Sequence, residues 1–293
     1  MNSRMAPLGV FVGLTTIDVQ YRVAEVPRPD MGMEADASTV APGGPSYTAS
    51  VAFAALGGRA ICMSAAGDEA LRPLVLADAG EFGVEYQDCA APGGRLSVST
   101  ILTDAEGRRT IISHDLVAAA DVGRLTLPAE APAIIAWDGF HPALFDRVTD
   151  AFPETPVLLD GGRWLPSLDG RLHRIRWAVV SERFRVPGAP ADAAGTMQAL
   201  RGAGCAAAAL TRGARPVLLD TDGTIREVTP PAGRPIVDTL GAGDILHGAA
   251  ALALARGASL TDAIAAGCVE ATASCATFGT RAWLRARRAQ VDD

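Results

Sequence analysis

The 293-residue chain contains no lysine: all 26 of its basic residues are arginine, set against 33 Asp and Glu for a net charge of −7. That absence excludes the chemistries that rest on an amine. A Walker phosphate loop, the strand lysine of a protein kinase and a Schiff-base or pyridoxal-phosphate centre each need one. Any phosphate handled here must meet arginine, metal or backbone N–H. Non-specific binding to nucleic acid or an anionic membrane draws on clustered Lys and Arg, so the acidic balance argues against both partners. Cysteine is also scarce. Cys62, Cys89, Cys205, Cys268 and Cys275 are odd in number, widely spaced and form no C-x-x-C, so neither a disulfide framework nor a zinc site is expected. A reducing, cytoplasmic location fits. Long hydrophobic runs are missing as well: the N-terminus passes from Met1 through Arg4 into 8–14, a glycine-interrupted run too short to span a bilayer and without a cleavage pattern.

What the chain does have is a rhythm of short apolar runs at 8–14, 60–64, 133–137, 157–160, 178–181, 206–211 and 217–220. Runs without polar alternation predict strands buried on both faces, the pattern of a parallel sheet. Between them, helical spacing appears at 47–56, 71–81, 142–151, 191–201, 245–255 and 260–277. The alternation predicts a layered α/β domain with right-handed crossovers, spanning 1–293 without a linker or repeat. Two stretches break the rhythm. Segments at about 18–42 and 95–115 alternate polar and apolar residues, the second around a turn at Glu106-Gly107. Both are expected to be antiparallel strands forming a small lid on the main sheet.

The most informative string is Ile236-Val237-Asp238-Thr239-Leu240-Gly241-Ala242-Gly243-Asp244, leading into a helical run from Ile245. It predicts the end of a strand, a glycine-rich turn and an immediate helix start. Small residues let the backbone approach a ligand, and the free N–H groups of a helix N-terminus favour an anion. Asp244 at that positive end is a poor anion binder and a sensible base beside one. Asp is also a preferred N-cap, so Gly-Ala-Gly-Asp alone leaves plain capping open.

The full string resembles the C-terminal signature of the ribokinase-like (pfkB) carbohydrate kinases, and the resemblance extends over nearly the whole chain. Pro42-Gly43-Gly44-Pro45-Ser46-Tyr47-Thr48 is similar to the family's Gly-Gly pair that opens a helix. Gly13-Leu14-Thr15-Thr16-Ile17-Asp18 is similar to its first strand followed by a sugar-binding Asp, and the alternating segments resemble its β lid. The resemblance implies a three-layer α/β ribokinase-like fold with a mostly parallel central sheet. It implies an alcohol-accepting phosphotransferase using ATP, Mg²⁺ and a monovalent cation such as K⁺, assembled as a homodimer through the lid. In the same way it makes Asp244 the general base and the Gly241, Ala242 and Gly243 backbone the stabiliser of the transferring phosphoryl group, with Asp244 ionised at neutral pH.

Asp18, Gly43, Gly44 and Thr48 fall at the sugar; Ser181, Thr211, Gly213, Thr239, Gly267 and Cys268 fall at the nucleotide. Thr48 stands where ribokinases carry Asn, which speaks against ribose-type contacts. Many relatives have Asn-x-x-Glu where this chain has Ser181-Glu182-Arg183-Phe184, the Glu organising magnesium's water shell. Glu182 is then either a substitute or a solvated strand-end residue. Cys268 is either a wall of the adenine pocket or a small core residue.

Within the family, Asp-Thr-Leu-Gly-Ala-Gly-Asp followed by Ile-Leu-His-Gly-Ala, together with Leu159-Asp160-Gly161, is most similar to the ketohexokinase-like branch and its 6-deoxy-6-sulfofructose kinases. That implies Asp244 acting on the 1-hydroxyl of a ketose and a basic pocket for an anionic 6-substituent. Arg109, Arg163, His114 and His141 are the candidates for that pocket, each histidine being equally open to a structural role. A nucleoside kinase of adenosine or inosine type on the same fold is the alternative. A dinucleotide oxidoreductase does not fit, because the first strand runs into Gly13-Leu14-Thr15-Thr16 and not G-x-G-x-x-G. His173 reads as a surface residue, and His247 follows Asp244 by one turn.

Overall fold

The structure, a computed structural model, describes residues 6–67, 70–114 and 118–292. The N-terminal reading at Met1 to Arg4 and the final residue of the second lid segment, Asp115, fall outside the described residues.

In chain order the elements are β1 (Leu8–Val12), β2 (Thr16–Arg22), β3 (Ala37–Gly43), α1 (Pro45–Ala55), β4 (Arg59–Ser64), α2 (Arg72–Phe82), β5 (Val84–Asp88), β6 (Ser97–Thr103) and β7 (Arg109–Ser113). There follow β8 (Ile134–Trp137), α3 (Pro142–Ala151), β9 (Val157–Gly161), β10 (Trp177–Ser181), α4 (Ala193–Gly202), β11 (Ala207–Arg212), β12 (Arg215–Asp220) and β13 (Ile225–Val228). Three helices close the chain: α5 (Ala242–Ala255), α6 (Leu260–Ser274) and α7 (Ala282–Asp292).

The apolar runs become the central sheet, ordered β13-β12-β11-β10-β9-β8-β1-β4-β5. It is parallel from β11 to β5, with β12 and β13 antiparallel at one edge. β1 shows why such strands lack polar alternation, being buried at every position. Phe11 packs into the layer that holds Tyr47 and Phe53 of α1, Ile245 of α5 and Ile264 of α6. Val10 and Val12 pack into the opposite layer, with Phe145 of α3 and Met197 of α4. Helices on both faces make three layers, and a strand covered on both faces must be apolar throughout.

The lid is a second sheet, β3-β2-β6-β7. Two antiparallel pairs, β2 with β3 and β6 with β7, are joined side by side by a parallel β2–β6 pairing. The β6–β7 turn falls at Glu106-Gly107 as expected, with Gly107 at φ 74° donating its N–H to the Asp104 carbonyl at 3.0 Å. Gln20, Ser99, Ile101 and Thr103 are buried on the inner face of this sheet, whereas Tyr21, Val40, Val98 and Ile112 are exposed on the outer one.

One expected strand does not form. The chain ahead of Asp238 is irregular, because Pro230, Pro231 and Pro235 supply no ladder N–H. The Val237 and Asp238 N–H groups bond instead to the Cys275 carbonyl, at 2.8 and 3.2 Å. Among the described residues no helix is long and apolar enough to cross a membrane. All five cysteines are buried free thiols.

Candidate active site

The site lies beyond the C-terminal ends of the parallel strands, where open α/β sheets place their ligands. After β1 the chain turns through Gly13 and returns as β2, which presents Asp18. Thr16 Oγ1 donates to Asp18 Oδ1 at 2.8 Å, and the carboxylate lies over Gly43, where a Cβ would fall 2.0 Å from Oδ2. Gly44 caps α1 at φ 93°, with its α-carbon so close to β1's exit that a Cβ would meet the Leu14 carbonyl at 2.3 Å. Asp138, at the end of β8, ties this corner together by accepting N–H groups from Leu14 (2.8 Å), Ser46 (3.2 Å) and Phe140 (3.0 Å). Burial lifts the Asp18 carboxyl above the usual range, while the Thr16 hydrogen bond and the Arg281 charge pull it back.

Asp244 sits in the first turn of α5. Gly241 caps the helix at φ 72° with no side-chain cap, and a Cβ on Gly243 would meet nothing within 4 Å. Space is therefore open beside Gly243 at the helix N-terminus, where the first N–H groups lack intrahelical partners. Burial, and next the Asp160 carboxylate, push the Asp244 carboxyl up to about 7, against the pull of His247 and Arg109 and with a small further rise from Asp18. The expectation of a fully ionised Asp244 at neutral pH is corrected accordingly, since burial and a second carboxylate outweigh the helix dipole. A carboxylate balanced near 7 suits a general base.

The lid is fastened to this loop. Gln20 Nε2, buried on β2, donates to Asp238 Oδ2 at 2.6 Å and to Thr103 Oγ1 at 2.8 Å. Asp238 also accepts the N–H groups of Leu240 and Gly279, both at 2.9 Å. Thr239 Oγ1 donates to the Gly107 carbonyl at 3.0 Å, and Arg109 Nη1 donates to the Thr239 carbonyl. Arg109 thus sits against the loop that leads into α5, near Asp244, whereas the sequence makes it a candidate for a basic pocket around a 6-substituent.

His141 also leaves that pocket as a cation. It is buried at the start of α3 at φ 52°, and burial pushes its imidazole down to about 4, so it is neutral; its Nε2 has no hydrogen-bond partner among the described residues. His114 is exposed just past β7, and Arg163 is exposed just past β9. Thr48, 2% exposed, packs beside the Gly241 cap.

Of the residues expected at the nucleotide, Ser181 and Thr211 are register partners near the ends of β10 and β11, and Gly213 turns the chain into β12 at φ 64°. Ser181 Oγ donates to the Gly162 carbonyl at 2.7 Å. Gly267 lets α6 approach α5, since a Cβ would lie 2.7 Å from the Leu246 carbonyl. Burial pushes the neighbouring Cys268 thiol up to about 11, and the geometry gives both residues a packing role.

Glu182 is ion-paired with Arg215 and faces solvent, so it does not fit a magnesium ligand. Phe184 is fully buried edge-on to Trp164, with ring centroids 5.6 Å apart, which explains an apolar residue at that place. Among the described residues no group of three or more His, Cys, Asp or Glu is arranged to hold a metal.

Two residues quoted in the sequence but given no role in the site, Asp160 and His247, lie beneath Asp244. His247 Nδ1 is 3.2 Å from Asp160 Oδ2, both side chains being almost wholly buried. Asp160 ends a buried strand, as Asp18 follows one, and that parallel is the signal by which it could have been found.

Residues 181–287 match the profile of the pfkB family carbohydrate kinases. Over its whole length the chain is similar to a proposed ribokinase from Agrobacterium tumefaciens, at 25% identity and a TM-score of 0.74, covering 98% of this chain and 99% of that one. It is similar to ribokinase from Arabidopsis thaliana complexed with ribose and ATP, at 19% identity and a TM-score of 0.72 over 96% and 98% of the two chains. It is also similar to adenosine kinase from Sinorhizobium meliloti, at 16% identity and a TM-score of 0.68 over 98% and 99%. The chain thus has the three-layer α/β ribokinase-like fold, and within it residues 181–287 match the model of the pfkB family carbohydrate kinases.

Proposed function

We propose that the chain transfers the γ-phosphoryl group of ATP to a primary hydroxyl of a ketose-type sugar, of the fructose or 6-deoxy-6-sulfofructose kind. One observation carries the reading: Asp244, balanced near neutrality at an open helix N-terminus, shares its electrostatic field with Asp18, which lies over Gly43. Asp18 and the bare backbone of Gly43 and Gly44 hold the sugar. Asp244 takes the hydroxyl proton as the oxygen bonds to the γ-phosphorus; the bond to the β-phosphate oxygen breaks, and ADP leaves. Charge on the equatorial oxygens is met by the N–H groups of the Gly241-Ala242-Gly243 loop. Mg²⁺ belongs to this reading as the nucleotide's own counter-ion, neutralising phosphate charge when bound.

Ser181, Thr211, Gly213 and Thr239 line the nucleotide side, and Arg163 and His114 remain the candidates for an anionic 6-substituent. Buried Thr48 offers no Asn-like reach to a ribose, which supports a ketose. The exposed apolar outer face of the lid supports a homodimer paired through it, and the five free thiols support a cytoplasmic location. A requirement for a monovalent cation such as K⁺ is part of the same reading.

The test is a phosphorylation screen with ATP against fructose, 6-deoxy-6-sulfofructose, ribose, 2-keto-3-deoxygluconate, adenosine and inosine, in potassium and in sodium salts. A kcat/KM for one ketose at least about tenfold above ribose and the nucleosides is expected. Preference for adenosine or inosine overturns the ketose in favour of a nucleoside kinase.

A further inference from the structure

His247 is buried among oxygen atoms. Its Nδ1 lies 2.7 Å from the Gly243 carbonyl and 3.2 Å from Asp160 Oδ2, and its Nε2 lies 3.0 Å from the Val179 carbonyl of β10. Carbonyl oxygens only accept, so each ring nitrogen needs a proton of its own. A neutral ring would leave one lone pair facing a carbonyl, and Asp160 Oδ2, buried and without a hydrogen-bond partner among the described residues, would face no positive charge. Burial favours the neutral ring and outweighs the two carbonyls and Asp244, which favour the charged one, and burial likewise lifts the Asp160 carboxyl well above the usual range; the contact geometry nonetheless calls for a proton on each ring nitrogen. A protonated Asp160 does not relieve the clash, because the Nδ1 lone pair would still point at the Gly243 oxygen. Only the imidazolium gives both carbonyls a donor and sets a positive charge beside Asp160 Oδ2.

We propose that His247 is held as an imidazolium paired with Asp160, and that this buried pair positions the Gly241-Ala242-Gly243 loop and sets the charge environment of Asp244. The inference rests on the reading of Asp244 as the general base. Neither His247 nor Asp160 touches the reacting atoms in this scheme; both are positioning residues. His247 fixes the Gly243 carbonyl, and with it the last residue of the phosphoryl-stabilising loop. It also anchors α5 to β10 through Val179. Its charge lies one helical turn from Asp244 and favours the ionised base, whereas Asp160, at the end of β9, opposes it. The other charged groups around the cluster are Asp138 at the end of β8, which acts on Asp160, Asp18 on β2 and Arg109 on β7.

Two measurements test the pair. The first is made on the intact wild-type protein with ¹⁵N-labelled histidine, the His247 signals being identified by their loss in His247→Gln. Both ring nitrogens are expected to carry protons at about pH 8, well above the usual histidine range; one unprotonated nitrogen overturns the proposal without reference to any activity. The second is the acid limb of the kcat/KM profile on the sugar found by the screen.

Asp160→Asn removes a like charge and should move the limb to lower pH, and His247→Gln removes an opposite one and should move it to higher pH. Each shift should be about half a unit or more. The double variant should return toward wild type. Shifts of the same sign, or none, overturn the charge-setting role, because a merely structural loss moves both variants alike. If Asp160→Asn fails to fold, the labelled wild-type spectrum still decides. Failure of the base assignment shows separately, as an Asp244→Asn enzyme that retains its turnover.

Discussion

The Asp18 carboxylate lies over the α-carbon of Gly43, with Oδ2 2.0 Å from where a Cβ would stand. Gly43 and Asp18 are therefore one device, in which the carboxylate keeps its place because nothing projects from the neighbouring strand. Gly43→Ala must push the carboxylate away, since the contact is with a short side chain held by Thr16. The sugar KM should rise at least about tenfold, equivalent to about 1.4 kcal/mol, with the ATP KM nearly unchanged. Asp18→Asn should act in the same direction. Steady-state kinetics with both substrates varied check this; an unaltered sugar KM in both variants removes Asp18 from the sugar site.

Asp244→Asn should retain binding of both substrates and lose kcat by about 10²- to 10⁴-fold, the usual range for general-base assistance. Wild-type kcat/KM should fall below pH 7, because only the ionised carboxylate accepts the proton and its pKa lies at about 7. More than about a third of wild-type kcat in Asp244→Asn, with chemistry limiting turnover, rejects the assignment.

The same residue makes a stability prediction of definite sign. Its carboxyl is raised in the folded protein from 3.8 to about 7, so the native state binds the proton more tightly than the unfolded chain does. Ionised Asp244 therefore costs stability above pH 7, and that cost is relieved as pH falls from 7 toward 3.8. Asp244→Asn should raise Tm at about pH 8, and the gain should shrink at about pH 5. Thermal unfolding at the two pH values checks it; a variant no more stable than wild type at the higher pH contradicts the burial of an ionised carboxylate.

The central strands were legible because each is covered on both faces and so reads as an unbroken apolar run, as β1 does. The edges were not. β13 is exposed along most of its length, and α7 is rich in arginine, so neither carries an apolar pattern. The strand expected before Asp238 fails for a local reason, its prolines, and Asp238 spends its backbone N–H on the Cys275 carbonyl from α6. In the site, Asp18, the two glycines and Asp244 announce themselves by their place at element ends. The Asp160–His247 pair does not, since it depends on β9 lying beside β10 and α5 crossing both, which is a fact of sheet order. Arg109 was legible as a candidate, but its position was not, because the lid turn that carries it leans onto Thr239.

The proposed homodimer would pair through the lid. Val40 is 58% exposed and Ile112 is 64% exposed on its outer face, beside Tyr21 and Val98. Covering such a face is the ordinary reason for two sheets to pair. Light scattering should give about twice the 30.2 kDa chain mass, and the double variant Val40→Asp/Ile112→Asp should give the single mass with its secondary structure intact. A wild-type protein of single mass at micromolar concentration rejects the lid dimer.

Arg109 reaches from the lid to the Thr239 carbonyl, and its charge lowers the proton affinity of Asp244. Without that charge the carboxyl should keep its proton to higher pH, so a smaller fraction of the enzyme is active at neutrality. Arg109→Leu should therefore move the acid limb of kcat/KM upward by a few tenths of a unit, up to about one, and lower kcat at pH 7 beyond the titration alone if the guanidinium also meets phosphoryl charge. Arg109 is exposed, so the shift should weaken as salt is raised. Arg109→Lys separates charge from geometry. It keeps the positive end but not the planar fork, and should restore the limb while recovering only part of kcat. Profiles of the three enzymes at low and high ionic strength check the argument. A limb that stays put or moves downward in Arg109→Leu shows that the lid arginine does not act on the base.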